Sequence, residues 1–201
     1  MRFTYSLDRI LGQKSKIRAL RYLVNYTDKI SIRELARAIN IAPANLSAVL
    51  KELEHEGVFI SQKYGRTIVF SVNKDHYLNK EIIIPLFQKE KSAKKKLAEV
   101  LESEMKFEYI SVILFGSCAR GDNGPQSDID LLVLVPEATD DIENKMLGIN
   151  PKVISILGNS LAPVIIGLPE LRKKLREGQD FWHNIVREGE VLTGKLISEI
   201  L

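Results

Sequence analysis

Two aspartates and a Gly-Ser pair are the residues of this chain best suited to chemistry. Gly116 and Ser117 end the apolar run 109–115, and Asp128 and Asp130 open a second apolar run. In a strand, residues two apart lie on one face, so the two carboxylates would be close enough to repel each other unless a divalent cation lies between them. The Gly-Ser pair offers unhindered N–H groups and a hydroxyl, which suit phosphate oxygens. This pattern predicts a site for a magnesium-bound nucleotide.

The segment FGSCARGDNGPQSDIDLLVLV resembles the signature of the DNA polymerase β nucleotidyltransferase superfamily, in its minimal branch. The resemblance implies that Gly116 and Ser117 hold the β- and γ-phosphates of a nucleoside triphosphate. It also implies that Asp128 and Asp130 are catalytic and coordinate Mg²⁺ or Mn²⁺. Arg120 either contacts the triphosphate or forms a salt bridge that fixes the loop.

The superfamily normally places a third carboxylate on a later strand, where it acts as general base. The candidate strands here, 152–157 and 162–167, contain no acidic residue. Glu170 follows the second run, where it fits the first turn of a helix, and Asp140 with Asp141 fits a polar stretch that caps a helix over 139–148. Each of these three acids is a minor candidate for the missing carboxylate. The site is therefore expected to bind a metal-nucleotide, whereas the missing third carboxylate argues against full transferase activity.

Composition indicates a globular protein of the cytoplasm. Hydrophobic residues make up 45% of the 201 residues and charged residues 27%, as in ordinary globular proteins. No apolar run approaches the roughly 18 residues that a membrane span needs. The single cysteine, Cys118, excludes an internal disulfide and fits a reducing compartment.

Charge divides the chain into a basic and an acidic half. Residues 1–106 carry 20 lysines and arginines against 12 acidic residues, whereas residues 107–201 carry 9 against 14. The basic excess lies outside the nucleotidyltransferase-like segment. Binding of a polyanion is therefore expected in the first half.

The first half shows three helices followed by a hairpin. A helix is predicted over 15–28, and Ser31 with Glu34 forms a capping box at the start of a second helix. Pro43 suits the first position of a third helix. Two β-runs then flank the turn 63–66, which predicts a hairpin.

The stretch SIRELARAINIAPANLSAVLKELEHEGVF resembles the helix-turn-helix of MarR- and ArsR-type regulators, and the order of elements is that of a winged helix. The resemblance implies that the third helix reads double-stranded DNA and that the wing contacts phosphates. The alternative is a winged helix that contacts protein. The residues expected at DNA are Pro43, Ala44, Asn45, Ser47, Lys51, Lys63 and Arg66.

The predicted fold is α/β in the broad sense, of α+β type: a winged helix-turn-helix followed by a mixed sheet with flanking helices. The expected divisions are residues 1–88 for DNA binding, a linker helix over 89–106, and the nucleotidyltransferase-like domain over 107–201. The linker helix either pairs across a homodimer or is a solvated helix with its lysines outward.

Two functions follow. The first is a transcriptional regulator that binds Mg-NTP and senses the nucleotide or transfers it weakly. The alternative is an active nucleotidyltransferase that moves a nucleoside monophosphate onto a hydroxyl of a protein, an RNA or a small molecule. Because small nucleotidyltransferases also pair with helical toxin-like proteins, such a partner is a further candidate substrate.

Overall fold

The computed structural model describes residues 4–201. These residues form two compact units that divide between Ser92 and Ala93. The predicted linker helix over 89–106 is therefore wrong as one element, because one helix ends at Lys91 and the next begins at Ala93. At the break, the Ser92 hydroxyl donates a hydrogen bond to the Lys89 carbonyl, so the side chain competes for a helical acceptor.

The first unit consists of helices around a small three-stranded sheet. The apolar sides of the helices pack on Phe59, Phe70 and Val72 of the sheet to form one core. A π-helical turn, Asn79–Ile83, precedes the last helix. The other elements are α1 (Ser6–Leu11), α2 (Lys14–Asn25), β1 (Ile30–Ser31), α3 (Ile32–Ala38), α4 (Pro43–His55), β2 (Phe59–Tyr64), β3 (Thr67–Val72) and α5 (Ile84–Lys91).

The predicted local signals of this unit are present. The Ser31 hydroxyl accepts from the Glu34 N–H, and the Glu34 carboxylate accepts from the Ser31 N–H, which completes the capping box. The hydrogen bonds from Ser31 hold the pKa of Glu34 below its ordinary value. Pro43 is the first residue of α4, and β2 and β3 pair in antiparallel register from Phe59–Val72 to Tyr64–Thr67.

The second unit is a four-stranded mixed sheet with helices on both faces. The strand order is β6-β5-β4-β7, with only β5 and β6 parallel. Helices α6 and α8 pack on one face, and α9 to α11 pack on the other. The elements are α6 (Ala93–Glu104), β4 (Ser111–Leu114), α7 (Gly116–Arg120), β5 (Ile129–Val135), α8 (Asp140–Leu157), β6 (Leu161–Gly167), α9 (Leu168–Arg176), α10 (Asp180–Glu188), β7 (Glu190–Gly194) and α11 (Ile197–Ile200).

Residues 152–157, predicted to be a strand, are instead the last turns of α8, which passes through Pro151. Met146, Ile149 and Val153 are buried at helical spacing and pack into the core with α6. Their burial outweighs the cost of a proline within the helix. The helix ends at Gly158, whose φ of 82° is left-handed. The next strand after β5 is therefore β6, which pairs with β5 in parallel.

Candidate functional site

The Gly-Ser pair and Asp130 meet where β4 turns into α7. The N–H of Phe115 donates to the carbonyl of Asp130 at 3.0 Å, which fixes the end of β4 beside the start of β5. Gly116 has a φ of 68°, in the left-handed region that favours glycine. A Cβ added to Gly116 would stand 2.1 Å from Asp130 Oδ2. The site therefore requires glycine for space as well as for conformation.

The carboxylate of Asp130 lies in an unfavourable electrostatic setting. Burial raises its pKa, and the nearby carboxylate of Asp128 raises it further, while the guanidinium of Arg120 partly opposes both effects. A half-buried carboxylate beside a second carboxylate is the arrangement that a bound cation stabilises.

Asp128 lies just before β5, not within it, and the segment just before β6 orients its side chain. The Ser160 hydroxyl donates to Asp128 Oδ1 at 2.7 Å. The N–H of Ile129 in turn donates to the Ser160 carbonyl at 2.8 Å. The amide of Asn159 donates to the Ser127 carbonyl at 2.9 Å, so residues 159 and 160 hold the segment that carries Asp128.

Ser160 and Asn159 are the residues that sequence reasoning missed. Their only signal in the sequence is a position just before an apolar run. That position becomes informative once β6 is known to pair in parallel with β5, because Ile129 then lies opposite Leu161.

The described residues contain no cluster of three or more His, Cys, Asp or Glu side chains able to hold a metal. Asp140 and Asp141 are in the first turn of α8, and Glu170 is in the first turn of α9. Helices α8 and α9 follow the far ends of β5 and β6, five residues beyond Asp130 on β5, which corresponds to roughly 16 Å along the strand. Asp141 pairs with Lys145, and Glu170 pairs with Lys174. None of these three acids approaches the aspartate pair.

The donor set nevertheless fits a magnesium-type ion. Such ions prefer carboxylate oxygens and are commonly held by one or two carboxylates, with substrate phosphates and water completing the coordination shell. Asp128 and Asp130 provide that number of carboxylates.

Arg120 and Cys118 contribute to the surroundings of the site. Arg120 Nε pairs with Asp122 Oδ2 at 3.3 Å, which is the loop salt bridge that the sequence left as an alternative. The Cys118 thiol donates to the carbonyl of Asp128 at 3.5 Å, and burial raises its pKa. Cys118 therefore packs beside the site as a thiol.

A cleft of about 230 Å³ opens beside Gly116, between α7 and α10. The rings of Phe115 and Phe181 form part of its wall and meet edge to face, with centroids 5.9 Å apart. The remaining lining residues are Gly116, Ala119, Arg120, Asn184, Ile185 and Glu188.

A second candidate surface lies on the first unit. Leu46, Val49, Leu50 and Leu53 bury one side of α4. The predicted DNA-facing residues lie elsewhere on the helix: Pro43, Ala44, Asn45 and Lys51 are exposed, and Ser47 is half-buried.

The hairpin and the helix-turn-helix corner complete this surface. Lys63 and Arg66 are exposed at the hairpin tip, where Gly65 has a φ of 58°. Within residues 4–201, neither they nor Lys51 forms an ion pair. The turn between α3 and α4 contains Asn40 at a φ of 52°, a conformation that asparagine tolerates better than most residues.

Two family models match the chain. Residues 94–182 match the model of the nucleotidyltransferase domain. This match assigns residues 94–182 to a nucleotidyltransferase domain. Residues 13–59 match the winged helix-turn-helix DNA-binding model. The two family resemblances and the α+β fold class predicted from the sequence are thereby confirmed.

Solved structures are similar to parts of this chain at low identity and low TM-score. A toxin-antitoxin with AMP-PNP is 20% identical, with a TM-score of 0.40, over 54% of this chain and 80% of that one. The AntR antimony-specific transcriptional repressor is 17% identical, with a TM-score of 0.35, over 50% of this chain and 78% of that one. A tri-AMPylated Shewanella oneidensis HEPN toxin in complex with MNT antitoxin is 19% identical, with a TM-score of 0.34, over 53% of this chain and 73% of that one.

A search of the curated proteins found no significant match. Among residues 4–201, no helix is long and apolar enough to span a membrane.

Proposed function

We propose that the nucleotidyltransferase domain binds a nucleoside triphosphate together with Mg²⁺ or Mn²⁺. The observation that carries this proposal is the apposition of Gly116 and Asp130 beside Asp128. Asp128 and Asp130 would hold the cation, and Gly116 and Ser117 would receive the β- and γ-phosphates. The cation, when bound, would neutralise the triphosphate and polarise the phosphorus that is attacked.

The protein's own residues position the aspartate carboxylates and the phosphate-binding turn, and they supply no group for proton transfer on β6. Ser160 orients Asp128, and the backbone between Phe115 and Asp130 fixes the distance from Gly116 to the carboxylate. Strand β6 presents no acid that could deprotonate an acceptor hydroxyl. This favours a domain that senses a nucleotide, or transfers it weakly, over an efficient enzyme.

The winged unit is proposed to bind double-stranded DNA, which would make the protein a transcriptional regulator. The unpaired cations of the hairpin and the exposed side of α4 support this role. The predicted limits, 1–88 and 107–201, are proposed to extend to the division between Ser92 and Ala93, because α6 packs in the core of the second unit.

Isothermal titration calorimetry with NTP tests the nucleotide site. We expect binding only with Mg²⁺ or Mn²⁺ present, because the bare carboxylates repel the triphosphate. The double variant Asp128→Asn, Asp130→Asn should lose this metal dependence and remain folded. Metal-independent binding by the unmodified protein would falsify the proposal.

The second candidate function is transfer of a nucleoside monophosphate to a hydroxyl of a protein, an RNA or a small molecule. The intact aspartate pair favours it, provided that the acceptor or a partner supplies the base. A helical toxin-like protein is one such acceptor. In a homodimer, the second copy of this chain would be the partner that supplies the base. Incubation with α-labelled NTP and each acceptor class, followed by gel separation, distinguishes transfer from binding alone.

A further inference from the structure

We infer that the cleft between α7 and α10 binds the nucleobase of the triphosphate, and that Glu188 selects guanine over adenine. The inference rests on the proposed function, because the cleft acquires this role only if phosphates bind at Gly116.

Gly116 links the two parts of the site. It lines the cleft, and the carboxylate of Asp130 lies against its Cα. A nucleotide whose phosphates bind at Gly116 therefore has this cleft within reach for its remaining portion. Pockets that enclose a drug-sized ligand measure about 300–1,000 Å³. At about 230 Å³, this cleft is suited to one ring system and not to a whole nucleotide.

The walls of the cleft suit a flat aromatic ligand. Phe115, Ala119 and Ile185 are apolar, and Phe181 is 48% exposed. The Phe181 ring meets both Phe115 and Trp182 edge to face, the latter at a centroid distance of 5.0 Å. These contacts fix the orientation of an aromatic ring that still faces solvent. Such a ring is a stacking platform for a base.

One face of α10 also supplies polar groups to the cleft. Asn184 and Glu188 lie one helical turn apart, and Arg187 Nη2 donates to Asn184 Oδ1 at 2.8 Å and to Glu188 Oε1 at 2.6 Å. Arg187 therefore orients both side chains. Within residues 4–201, the Asn184 amide N–H groups and Glu188 Oε2 have no hydrogen-bond partner. The cleft is thus left with an amide donor and a carboxylate acceptor.

A carboxylate accepts hydrogen bonds and, when ionised, donates none. Guanine carries two adjacent donors, N1–H and the N2 amino group, with the O6 acceptor beside them. Glu188 Oε2 can accept from one of these donors and Oε1 from the other, in addition to its bond from Arg187, while Asn184 donates to O6. Adenine offers one amino donor beside the N1 acceptor, which would repel a carboxylate placed for two bonds. The geometry of acceptors therefore favours guanine.

Calorimetry on the full chain with Mg²⁺ tests this inference, using GTP, ATP and inorganic tripolyphosphate. We expect GTP to bind more tightly than ATP, and both more tightly than tripolyphosphate. Phe181→Ala should weaken the binding of GTP by about tenfold or more while leaving the affinity for tripolyphosphate unchanged. Phe181→Leu, which keeps apolar volume, should show the same pattern and guards against misfolding of the alanine variant. Glu188→Gln should bring the GTP-to-ATP affinity ratio close to one.

The outcomes separate the inference from the proposed function. If GTP and tripolyphosphate bind alike, or if Phe181→Leu weakens both alike, the cleft does not hold the base and the phosphate site still stands. If ATP binds as tightly as GTP to the unmodified protein, selection by Glu188 is overturned. If neither GTP nor tripolyphosphate binds with Mg²⁺, the proposed function and the inference fall together.

Discussion

Asp130 Oδ2 occupies the space into which a side chain at Gly116 would extend, 2.1 Å from the position of the missing Cβ. The glycine of the Gly-Ser pair and the second aspartate of the Asp-x-Asp pair are thus steric partners. One cannot acquire a side chain without displacing the other. The separation of fourteen positions between them in sequence becomes a single contact because β4 and β5 are antiparallel neighbours.

Gly116→Ala should therefore abolish metal-dependent nucleotide binding, because the new methyl group displaces the Asp130 carboxylate. Gly121→Ala is the matched control: its φ of 76° is equally left-handed, but no atom lies within 4 Å of the added Cβ. Both variants should lose about 1 kcal/mol of unfolding free energy from backbone strain. Calorimetry should show binding lost in the first variant alone, and equal loss in both would remove the steric explanation.

Ser160→Ala should weaken metal-dependent nucleotide binding by about tenfold, because Asp128 loses the hydroxyl that orients its carboxylate. Ser155→Ala, at an exposed position of α8, is the control and should bind as the unmodified protein does. Titration of each variant with Mg²⁺ at fixed NTP measures the effect. An unchanged Mg²⁺ dependence in Ser160→Ala would show that Asp128 needs no orientation.

Lys63→Ala and Arg66→Ala should weaken binding to all DNA duplexes alike and reduce the slope of log affinity against log salt by about one each. The reason is that each cation at the hairpin tip is expected to displace one condensed counterion. Lys89→Ala, at an exposed position of α5, removes the same charge elsewhere in the unit and should leave the slope unchanged. Fluorescence anisotropy over a series of salt concentrations measures these slopes.

Asn45→Ala should act differently, by reducing the discrimination between duplex sequences more than the affinity for any one of them. Selection from a random duplex pool, compared between variant and parent, measures the discrimination. A winged unit that binds no DNA even at low salt would instead be a protein-contact module.

Transferase turnover by the isolated chain should be weak, and Val164→Asp should raise it. Val164 lies opposite Leu132, which is two residues beyond Asp130 on β5 and therefore on the same face of the sheet as Asp130. Leu132 and Val164 both pack on the face that α9 and α10 cover. A positioned base typically contributes about 10²–10⁴-fold to the rate. Ile165→Asp is the control, since Ile165 packs on the opposite face among α6 and α8. Release of pyrophosphate measures turnover, and ordinary turnover by the parent that is lost in Asp128→Asn would refute the premise of a missing base.

The sequence by itself determined the elements that depend on neighbouring residues. Ser31 with Glu34, Pro43 and the turn around Gly65 set the helix starts and the hairpin, because caps and turns are made by groups a few positions apart. The resemblance of the segment that carries Gly116, Ser117, Asp128 and Asp130 to the nucleotidyltransferase signature was enough to predict that domain. Each of these signals lies within one short stretch of chain.

Only the tertiary structure decided the remaining features. The apolar run 152–157 fits a strand or a helix equally well, and it is helical because Val153 completes a buried face with Met146 and Ile149. The support of Asp128 by Ser160 depends on the parallel pairing of β5 with β6, which no local pattern encodes. The cleft beside Gly116 likewise needs α10, more than sixty residues away in sequence, to pack against α7. Contacts between distant segments arise from burial of apolar faces. These contacts set the positions of side chains whose types, but not whose neighbours, can be read from the local sequence.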